Sequence, residues 1–328
     1  MQRSLALAAS VSLAIASVFA MRARERVPPV PGTFRVLAWN VSDSAWLKQA
    51  EATRAILRHA DADVLILAQV APGLEPDVRA LLRGLRGAAD TTWFISARQN
   101  DSYETTLIAA RDSVKGLPEF ALLTFPDTGG LGRNAAIPSG PGAPARRDSV
   151  TDVHTNGAMV RVGGEWILVV GVHLTSSGSQ TDWREYRREL GATLIRQSVM
   201  RVLSASRPAG IVVAGDMNLA GGPAPLDTLL GMARNGPLGP MRRAEALQPD
   251  GWTDWTWDGR GTAFNGGRLD NLIYSSGSLA VKSAIVWETE LMSPDTLRAH
   301  GLTADMSRSI NRHRPIVVEL RPRPGVAR

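Results

Sequence analysis

Seven polar side chains stand where apolar segments of the sequence end or begin. They are Asn40, Gln69, His173, Asp216, Asn218, Asp270 and His313. Single polar residues in such places are ordinarily caps and turn formers. Seven of them, carrying carboxylate, amide and imidazole groups that can hold a cation or move a proton, indicate one site assembled from separate strands.

The Gly-Asp-Met-Asn stretch at 215–218 follows the apolar run 211–214. Side chains alternate along a strand, so Asp216 and Asn218 project to the same face. A carboxylate and an amide can hold a hard cation or a phosphate oxygen between them. A plain turn is the alternative, because Gly, Asp and Asn all form turns. The buried strand before them favours a site.

Two histidines, His173 and His313, lie at the ends of further apolar strands. A buried core residue is the ordinary explanation for a lone histidine. Two imidazoles at strand ends fit general acid–base or charge-stabilising roles in phosphoryl chemistry. His313 stands between Arg312 and Arg314 with no acid adjacent to it in the sequence, which is unusual for such a role.

The elements that must position these residues can be predicted from the apolar pattern. Strands are predicted over 34–40, 64–70, 91–96, 105–110, 157–162, 166–174, 210–218, 268–274 and 314–320, helices over 45–60, 74–87 and 183–203, and a long loop over 127–149. Several strands are apolar on both faces, which predicts burial on both sides. We therefore expect two packed sheets with helices outside. The arginines of 183–203 are expected on the polar face of their helix.

Composition limits the classes of protein and partner. Of 328 residues, 44% are hydrophobic and the net charge is +6, which fits a folded chain with a basic surface. A basic surface is compatible with phosphate-bearing partners, although a general enrichment in arginine explains it equally well. Cysteine is absent, which excludes disulfides, a disulfide-linked partner and thiolate metal sites.

Residues 1–20 have the pattern of an export signal: an early cation, an Ala- and Leu-rich stretch, and small residues near position 20. The alternative is an uncleaved membrane anchor formed by residues 4–20. We expect a periplasmic or extracellular protein with a linker at 21–32, a domain at 33–322 and a tail at 323–328.

In chain order, these motifs resemble the endonuclease/exonuclease/phosphatase superfamily, which has the fold of deoxyribonuclease I. The resemblance rests on Trp39-Asn40, the strand 64–70, His173-Leu174, the stretch 215–218, the aromatic segment 253–257, Arg268-Leu269-Asp270 and His313-Arg314-Pro315. It implies an α/β four-layer sandwich, with two mixed β-sheets packed face to face and helices outside. It also implies hydrolysis of phosphate esters with Mg²⁺ or Mn²⁺.

The resemblance further implies roles for individual residues. Asn40, Gln69 and Asp270 would hold the metal, while His173, Asp216, Asn218, Asp270, His313 and Glu104 would be catalytic, with Asn218, Arg268 and Arg312 as phosphate contacts. Asp216 would activate the attacking water and His313 would contact the scissile phosphate. Glu104 would pair with His173, although an exposed surface glutamate is the alternative for that position.

Two positions depart from the family pattern. The strand at 64–70 ends with Ala68-Gln69 where the family has Gln-Glu, and His313 follows Arg312 where the family has an aspartate. Both changes remove negative charge, so Mg²⁺ binding is expected to be weakened. The cation beside His313 is expected to make its ring harder to protonate than in the family. Arg312 either binds an anionic substrate or points away from the site.

The sequence therefore predicts an exported, monomeric, metal-dependent phosphoesterase, most like a nuclease, with DNA or RNA among its candidate substrates. One alternative is a degenerate family member that binds a phosphate-bearing ligand or nucleic acid without turnover. Another is a non-enzymatic protein whose basic groove binds nucleic acid or anionic lipid.

Overall fold

The fold was obtained as a computed structural model. It describes residues 32–42, 44–87, 90, 92–99, 104–121, 123–125, 136–137, 146–147, 152–176, 183–233 and 236–323. The strands are β1 (Phe34–Asn40), β2 (Val64–Val70), β3 (Phe94–Gln99), β4 (Thr105–Ala110), β5 (Ser113–Gly116), β6 (Ala136–Ile137), β7 (Arg146–Arg147), β8 (His154–Val162), β9 (Glu165–His173), β10 (Gly210–Asp216), β11 (Met241–Arg243), β12 (Asp270–Ser275), β13 (Leu279–Val286) and β14 (Ile316–Pro322). The α-helices are α1 (Ala45–Lys48), α2 (Ala50–Ala60), α3 (Glu75–Leu82), α4 (Trp183–Ala205), α5 (Ala224–Leu230), α6 (Pro294–His300) and α7 (Met306–Ile310). Short 3₁₀ turns occupy Pro118–Phe120 and Thr289–Leu291.

Two six-stranded sheets form the framework. The first has the strand order β13-β14-β1-β2-β4-β3, and the second has the order β11-β12-β10-β9-β8-β5. In each sheet one central pair is parallel, β1 with β2 and β9 with β10, while the neighbouring pairs are antiparallel. Both sheets are therefore mixed, as the family resemblance implies.

Three apolar layers hold the sheets and helices together. Between the sheets, Val36 and Ile66 of the first pack in one cluster with Val169 and Val212 of the second. On the outer face of the first sheet, side chains of β1, β2 and β4 pack against α1, α2 and α3. On the outer face of the second, β9 and β10 pack against α4 and α5. The predicted four-layer sandwich is confirmed.

The predicted elements are correct in kind and differ at their ends. The helix predicted over 45–60 is divided at Gln49 into α1 and α2, and the one predicted over 74–87 is limited to α3. Strand β3 begins at Phe94, after the predicted start at 91. Within the predicted loop 127–149, the two described segments β6 and β7 pair with each other.

The expectation that the arginines of helix α4 lie on a polar face holds for some of them and fails for others. Arg196 and Arg201 are exposed, whereas Arg187 and Arg188 are buried. Arg188 Nε donates to Glu185 Oε2 at 2.7 Å, and its Nη1 donates to the carbonyl oxygen of Thr175 at 2.8 Å. These partners compensate part of the cost of burying the charge.

The predicted export signal at 1–20, nearly all of the linker at 21–32 and nearly all of the tail at 323–328 lie outside the described residues. Among the helices that the structure does describe, none is both long enough and apolar enough to cross a membrane.

Candidate active site

The site lies where strands of both sheets end at the same edge of the sandwich. Asp216, the last residue of β10, is in register with His173 at the end of the parallel strand β9. It is also in register with Asp270 at the start of the antiparallel strand β12. Asn40 ends β1 in the first sheet, and His313 precedes β14. Strand pairing thus brings together residues far apart in the chain.

Asp216 is the centre of this group. Its Oδ2 accepts a hydrogen bond from Asn40 Nδ2 at 2.9 Å, and its Oδ1 accepts one from the backbone N–H of Asn218 at 2.9 Å. His173 Nε2 lies 3.8 Å and His313 Nε2 lies 3.7 Å from Asp216 Oδ2. One carboxylate oxygen therefore faces the Nε2 atoms of two histidines.

Each of these histidines is held by a second carboxylate. His173 Nδ1 lies 2.8 Å from Glu104 Oε2, and His313 Nδ1 lies 2.9 Å from Asp270 Oδ2. An ionised carboxylate only accepts hydrogen bonds, so Nδ1 is the donor in both pairs. The two histidines flank Asp216 from opposite sheets, and the carboxylate at each Nδ1 orients Nε2 of the ring toward Asp216.

Burial and charge together set the proton affinities of the first pair. Burial disfavours the ionised form of Glu104, but the combined effect of His173 and His154 outweighs it and lowers the pKa of Glu104 to about 2. Burial likewise opposes protonation of His173, but Glu104 and Asp216 outweigh it and raise the pKa of His173 above its ordinary value. An anionic Glu104 paired with a cationic His173 is the favoured state.

The second pair behaves similarly. Burial and Arg314 oppose protonation of His313, yet Asp270 and Asp216 outweigh them and raise the pKa of His313 above its ordinary value. The acid that the sequence does not show beside His313 is supplied by Asp270, 43 positions earlier. Burial and the charge of Asp270 in turn raise the pKa of Asp216.

The arginine expected at the phosphate is directed elsewhere. Arg312 Nη1 donates to the carbonyl oxygens of Asp258 at 3.2 Å and Arg260 at 2.8 Å. The side chain therefore lies against the 258–260 loop, which matches the alternative that it points away from the site. The 2.9 Å contact of His313 is with Asp270, not with a neighbour in sequence.

Arg268 is likewise not brought into the group around Asp216. Its Nη1 and Nη2 donate to the carbonyl oxygens of Ala246 at 3.1 Å and Ala244 at 2.8 Å, and its side chain is 7% exposed. These bonds attach the start of β12 to the segment after β11, and the phosphate contact expected of Arg268 stays a prediction.

Gln69 and Asn218 have left-handed backbone conformations, with φ of 57° and 48°. At Gln69 the pairing of β2 with β4 is interrupted between Leu67 and Val70, which turns its side chain into a pocket beside Glu104. Asn218 Nδ2 donates to the carbonyl oxygen of Leu174 at 2.8 Å. Asn218 thus contacts Asp216 through its backbone N–H, while its side-chain nitrogen donates to the protein backbone.

The group around Asp216 has the composition of a cation site. Oxygen atoms of Asp216 and Asp270 and a nitrogen of His313 lie within 4.8 Å of one another. Asp270 Oδ1 is buried and has no hydrogen-bond partner among the described residues. Two buried carboxylates this close repel each other, and a bound cation would relieve that repulsion. The residues present fit a divalent metal. Gln69, the predicted amide ligand, lines the neighbouring pocket with Glu104, His154 and His173.

Two residues of the site are missed by the sequence reasoning. Asn311 Oδ1 accepts from the backbone N–H of His313 at 2.9 Å, and Asn311 Nδ2 donates to the carbonyl oxygen of Asn40 at 3.0 Å. His154 Nδ1 lies 3.1 Å from Glu104 Oε1. A signal for His154 was present, because extending the hairpin register back from Gly163-Gly164 pairs it with His173.

Comparison with known proteins agrees with this fold. The model of the Endonuclease/Exonuclease/phosphatase family matches residues 37–293. No curated protein sequence matches the chain. Among solved structures, TDP2 from Caenorhabditis elegans is 15% identical with a TM-score of 0.56, covering 88% of this chain and 74% of its own.

Two further structures are similar. The human Nocturnin catalytic domain with bound sulfate anion is 14% identical with a TM-score of 0.55, covering 92% of this chain and 98% of its own. An endonuclease/exonuclease/phosphatase from Bacteroides vulgatus is 16% identical with a TM-score of 0.54, covering 89% of this chain and 99% of its own. At these identities the likeness establishes the fold alone. With the family model matched over most of its length, the chain belongs to the endonuclease/exonuclease/phosphatase family.

Proposed function

We propose that this protein is a divalent-metal-dependent phosphodiesterase with nuclease-like activity. The observation that carries the proposal is Asp216 flanked by the Nε2 atoms of His173 and His313, each ring being held at Nδ1 by its own buried carboxylate. Phosphoester hydrolysis needs a base for water and donors for the phosphoryl oxygens, and this arrangement offers both.

Asp216 is suited to accept a proton from the attacking water. Its raised pKa makes it a stronger base than an exposed aspartate, and Asn40 and the backbone of Asn218 fix its orientation. His173 and His313, with raised pKa values, carry protons at Nε2 that can be donated to phosphoryl oxygens. Negative charge developing on the phosphate is thereby stabilised without rearrangement of the protein.

Asp270 would hold the metal, with Gln69 and Asn40 as amide ligands. When bound, a divalent cation supplies Lewis-acid stabilisation of the phosphoryl oxygens. Asn40 Oδ1 already accepts from the backbone N–H of Ser42 at 3.0 Å, so it has one lone pair left for a cation. Weak affinity for Mg²⁺ follows from the uncharged Gln69, and the identity of the ion is part of the proposal.

A nucleic acid substrate fits best among phosphodiesters. The chain has a net charge of +6, which favours a polyanion. A similar structure, TDP2 of D. rerio, is complexed with a single-strand DNA product. We further propose that the protein is exported and monomeric. Mass-spectrometric determination of the mature N-terminus after expression in its own cells tests export, and a start near residue 21 is expected.

Hydrolysis of single- and double-stranded DNA, RNA and a generic phosphodiester, with Mg²⁺, Mn²⁺ or chelator, tests the activity. We expect metal-dependent turnover that is lost in Asp216→Asn and His173→Ala. The control His300→Ala should keep it, because the His300 ring packs against His59, with 4.2 Å between the ring centres. Equal turnover in the wild type and Asp216→Asn would reject the proposal. Tight, salt-sensitive binding of DNA without cleavage would support the degenerate alternative.

A further inference from the structure

A second group of potential ligands adjoins the site around Asp216. Glu104, His154 and His173 each offer one ligand atom, and these atoms lie within 4.8 Å of one another. Both histidines direct Nδ1 at the same carboxylate: His154 Nδ1 is 3.1 Å from Oε1, and His173 Nδ1 is 2.8 Å from Oε2. His154 has no part in the chemistry proposed above.

These three side chains are held on rigid elements. His154 and His173 are directly opposite each other in the β8–β9 ladder, and Glu104 immediately precedes β4. The backbone on both sides of His154 is fixed by Arg98, whose Nη1 donates to the carbonyl oxygens of Val153 at 3.2 Å and Thr155 at 3.0 Å. Ligands held in this way require little rearrangement on binding an ion.

The group opens into a pocket of about 290 Å³ that its three members line together with Gln69. Arg184 and Arg187 belong to the same lining, and the Arg187 guanidinium lies 4.1 Å from the centre of the Phe125 ring. The pocket therefore combines potential metal ligands with cationic groups. That combination suits a metal whose remaining positions are taken by water or an anion.

We propose that Glu104, His154 and His173 bind a divalent transition metal of the Zn²⁺ or Co²⁺ class, with the remaining position open to water or an anion from the pocket. Imidazole nitrogen favours these ions over Mg²⁺, and two histidines with one glutamate are a recurrent zinc ligand set. Glu104 Oε1 lies 3.1 Å from His154 Nδ1 and 3.0 Å from His173 Nδ1. These distances are slightly shorter than the edge of about 3.3 Å of a tetrahedron whose metal–nitrogen bonds are about 2.0 Å long.

Binding replaces the hydrogen bonds to Glu104 by metal–ligand bonds. His154 and His173 each bind as a neutral ring, in which Nδ1 donates its electron pair to the ion and Nε2 carries the one remaining proton, while any further proton passes to solvent. A proton remains at Nε2 of His173, where it faces Asp216 Oδ2 at 3.8 Å. The ion would thus fix the tautomer of His173 that donates toward the phosphate site.

This inference does not depend on the proposed hydrolysis, because binding is measured without substrate. The purified protein, freed of metal by a chelator, is titrated with Co²⁺ and, separately, with Zn²⁺ in a calorimeter. We expect tight binding of Zn²⁺, and with Co²⁺ the intense visible bands of a low-coordinate, nitrogen-ligated ion. Mg²⁺ should compete poorly at this position.

Variants separate this site from the one around Asp216. His154→Asn keeps an amide that can donate to Glu104, so it should fold, yet its affinity for Zn²⁺ should fall at least about 10-fold and the Co²⁺ bands should disappear. The control His300→Ala should leave both unchanged. Asp270→Asn should keep the Co²⁺ bands and the tight Zn²⁺ binding event, and it should lose only a weaker event at the site around Asp216. Thermal melts of the metal-free variants confirm folding.

Three results would overturn the proposal. One is the absence of intense Co²⁺ bands in the wild type, which would mean that Glu104 and the two histidines only share protons. Another is an unchanged Zn²⁺ affinity in His154→Asn. The third is loss of the bands in Asp270→Asn, which would place the ion at Asp216 and Asp270 instead.

Discussion

At the scale of single residues, the site keeps its proton-transfer groups while it loses negative charge. Gln69 replaces an acid that the family resemblance implies, and Arg312 replaces another. Both His–carboxylate pairs nevertheless remain, and they are buried with short contacts. The changes therefore affect how strongly a hard cation is held more than how Asp216 and its two histidines are arranged.

The Gln69→Glu substitution is expected to strengthen Mg²⁺ binding by about 10-fold or more, because a charged oxygen replaces a neutral one in the pocket. The increase in melting temperature on adding Mg²⁺ measures this without substrate. Gln69→Met, which has similar length and no charge, is the control and should show no greater response than the wild type. An identical response from Gln69→Glu would mean that the side chain does not reach the ion.

The Glu104–His173 pair should make stability depend on pH. Glu104 has its pKa lowered from 4.5 to about 2, so its contribution is present above pH 4.5 and is lost as the pH falls toward 2. That depression corresponds to about 3 kcal/mol. His173 has a raised pKa, so its contribution is present below 6.5 and is lost as the pH rises through the raised value.

Urea unfolding in chelator at several pH values between about 2 and 8 measures this dependence. The Glu104→Gln variant should lose much of the decline in stability between pH 4.5 and 2. A decline as steep as that of the wild type would show that other carboxylates cause it.

The types of residue at the site could be predicted from the sequence, but several partnerships could not. Asp216, His173 and His313 stand at recognisable strand ends, and the structure does bring them together. The acid bound to His313 could not be identified from its neighbours, because Asp270 reaches it through strand pairing. Neighbouring residues in the sequence also do not show where a long side chain points. The structure was therefore needed to show that Arg312 and Arg268 bind backbone carbonyl oxygens.

At the scale of elements, continuous apolar runs predict the central strands well. Strands β1 and β2 have the predicted bounds, since every position but one in them is buried. The edge strands β5, β11 and β13 were missed, because their residues are partly exposed and carry little apolar periodicity. Helix α4 was found, but its buried arginines depend on partners outside the helix, such as Thr175.

Gly215 allows β10 to pack closely against β9 immediately before Asp216. Its φ is 137°, and a Cβ there would lie 2.1 Å from the carbonyl oxygen of Val172 in β9. Gly215→Ala is therefore expected to destabilise the protein by several kcal/mol, about 3 or more, because either the backbone or the β9–β10 pairing must shift. Binding of Zn²⁺ or substrate should weaken as well.

Gly164→Ala provides the matched comparison, because Gly164 also has a positive φ, 88°, but a Cβ there meets nothing within 4 Å. Its cost should be limited to backbone strain of about 1 kcal/mol. Chemical denaturation of the two variants measures the difference. Equal losses would mean that conformation alone, and not the close approach to Val172, requires glycine at 215.

At the scale of the whole molecule, the site exists only where the two sheets meet. The first sheet supplies Asn40 and His313, and the second supplies Asp216 and Asp270. The hydrogen bond from Asn40 Nδ2 to Asp216 Oδ2 and the contact of His313 with Asp270 both cross from one sheet to the other. The distance between the sheets should therefore control the geometry of the site as well as the stability of the fold.

Gly171 in β9 allows the sheets to approach near this edge. A Cβ there would lie 2.8 Å from Ile66 Cγ2 and 2.9 Å from Thr106 Cγ2, both in the first sheet. The Gly171→Ala variant is expected to lose about 1–3 kcal/mol of stability through overpacking. Because the added methyl group pushes the sheets apart, turnover should fall by more than the unfolded fraction explains.

A double-mutant cycle tests whether sheet separation is the cause. Ile66→Leu with Thr106→Ser removes both branch methyl groups that the new Cβ would meet. Adding these changes to Gly171→Ala should recover stability and turnover together, giving a coupling energy of about 1 kcal/mol or more. If stability recovered but turnover did not, the sheets could be repacked without restoring the position of Asp216 relative to His313. The site would then depend on a feature of β9 other than its distance from the first sheet.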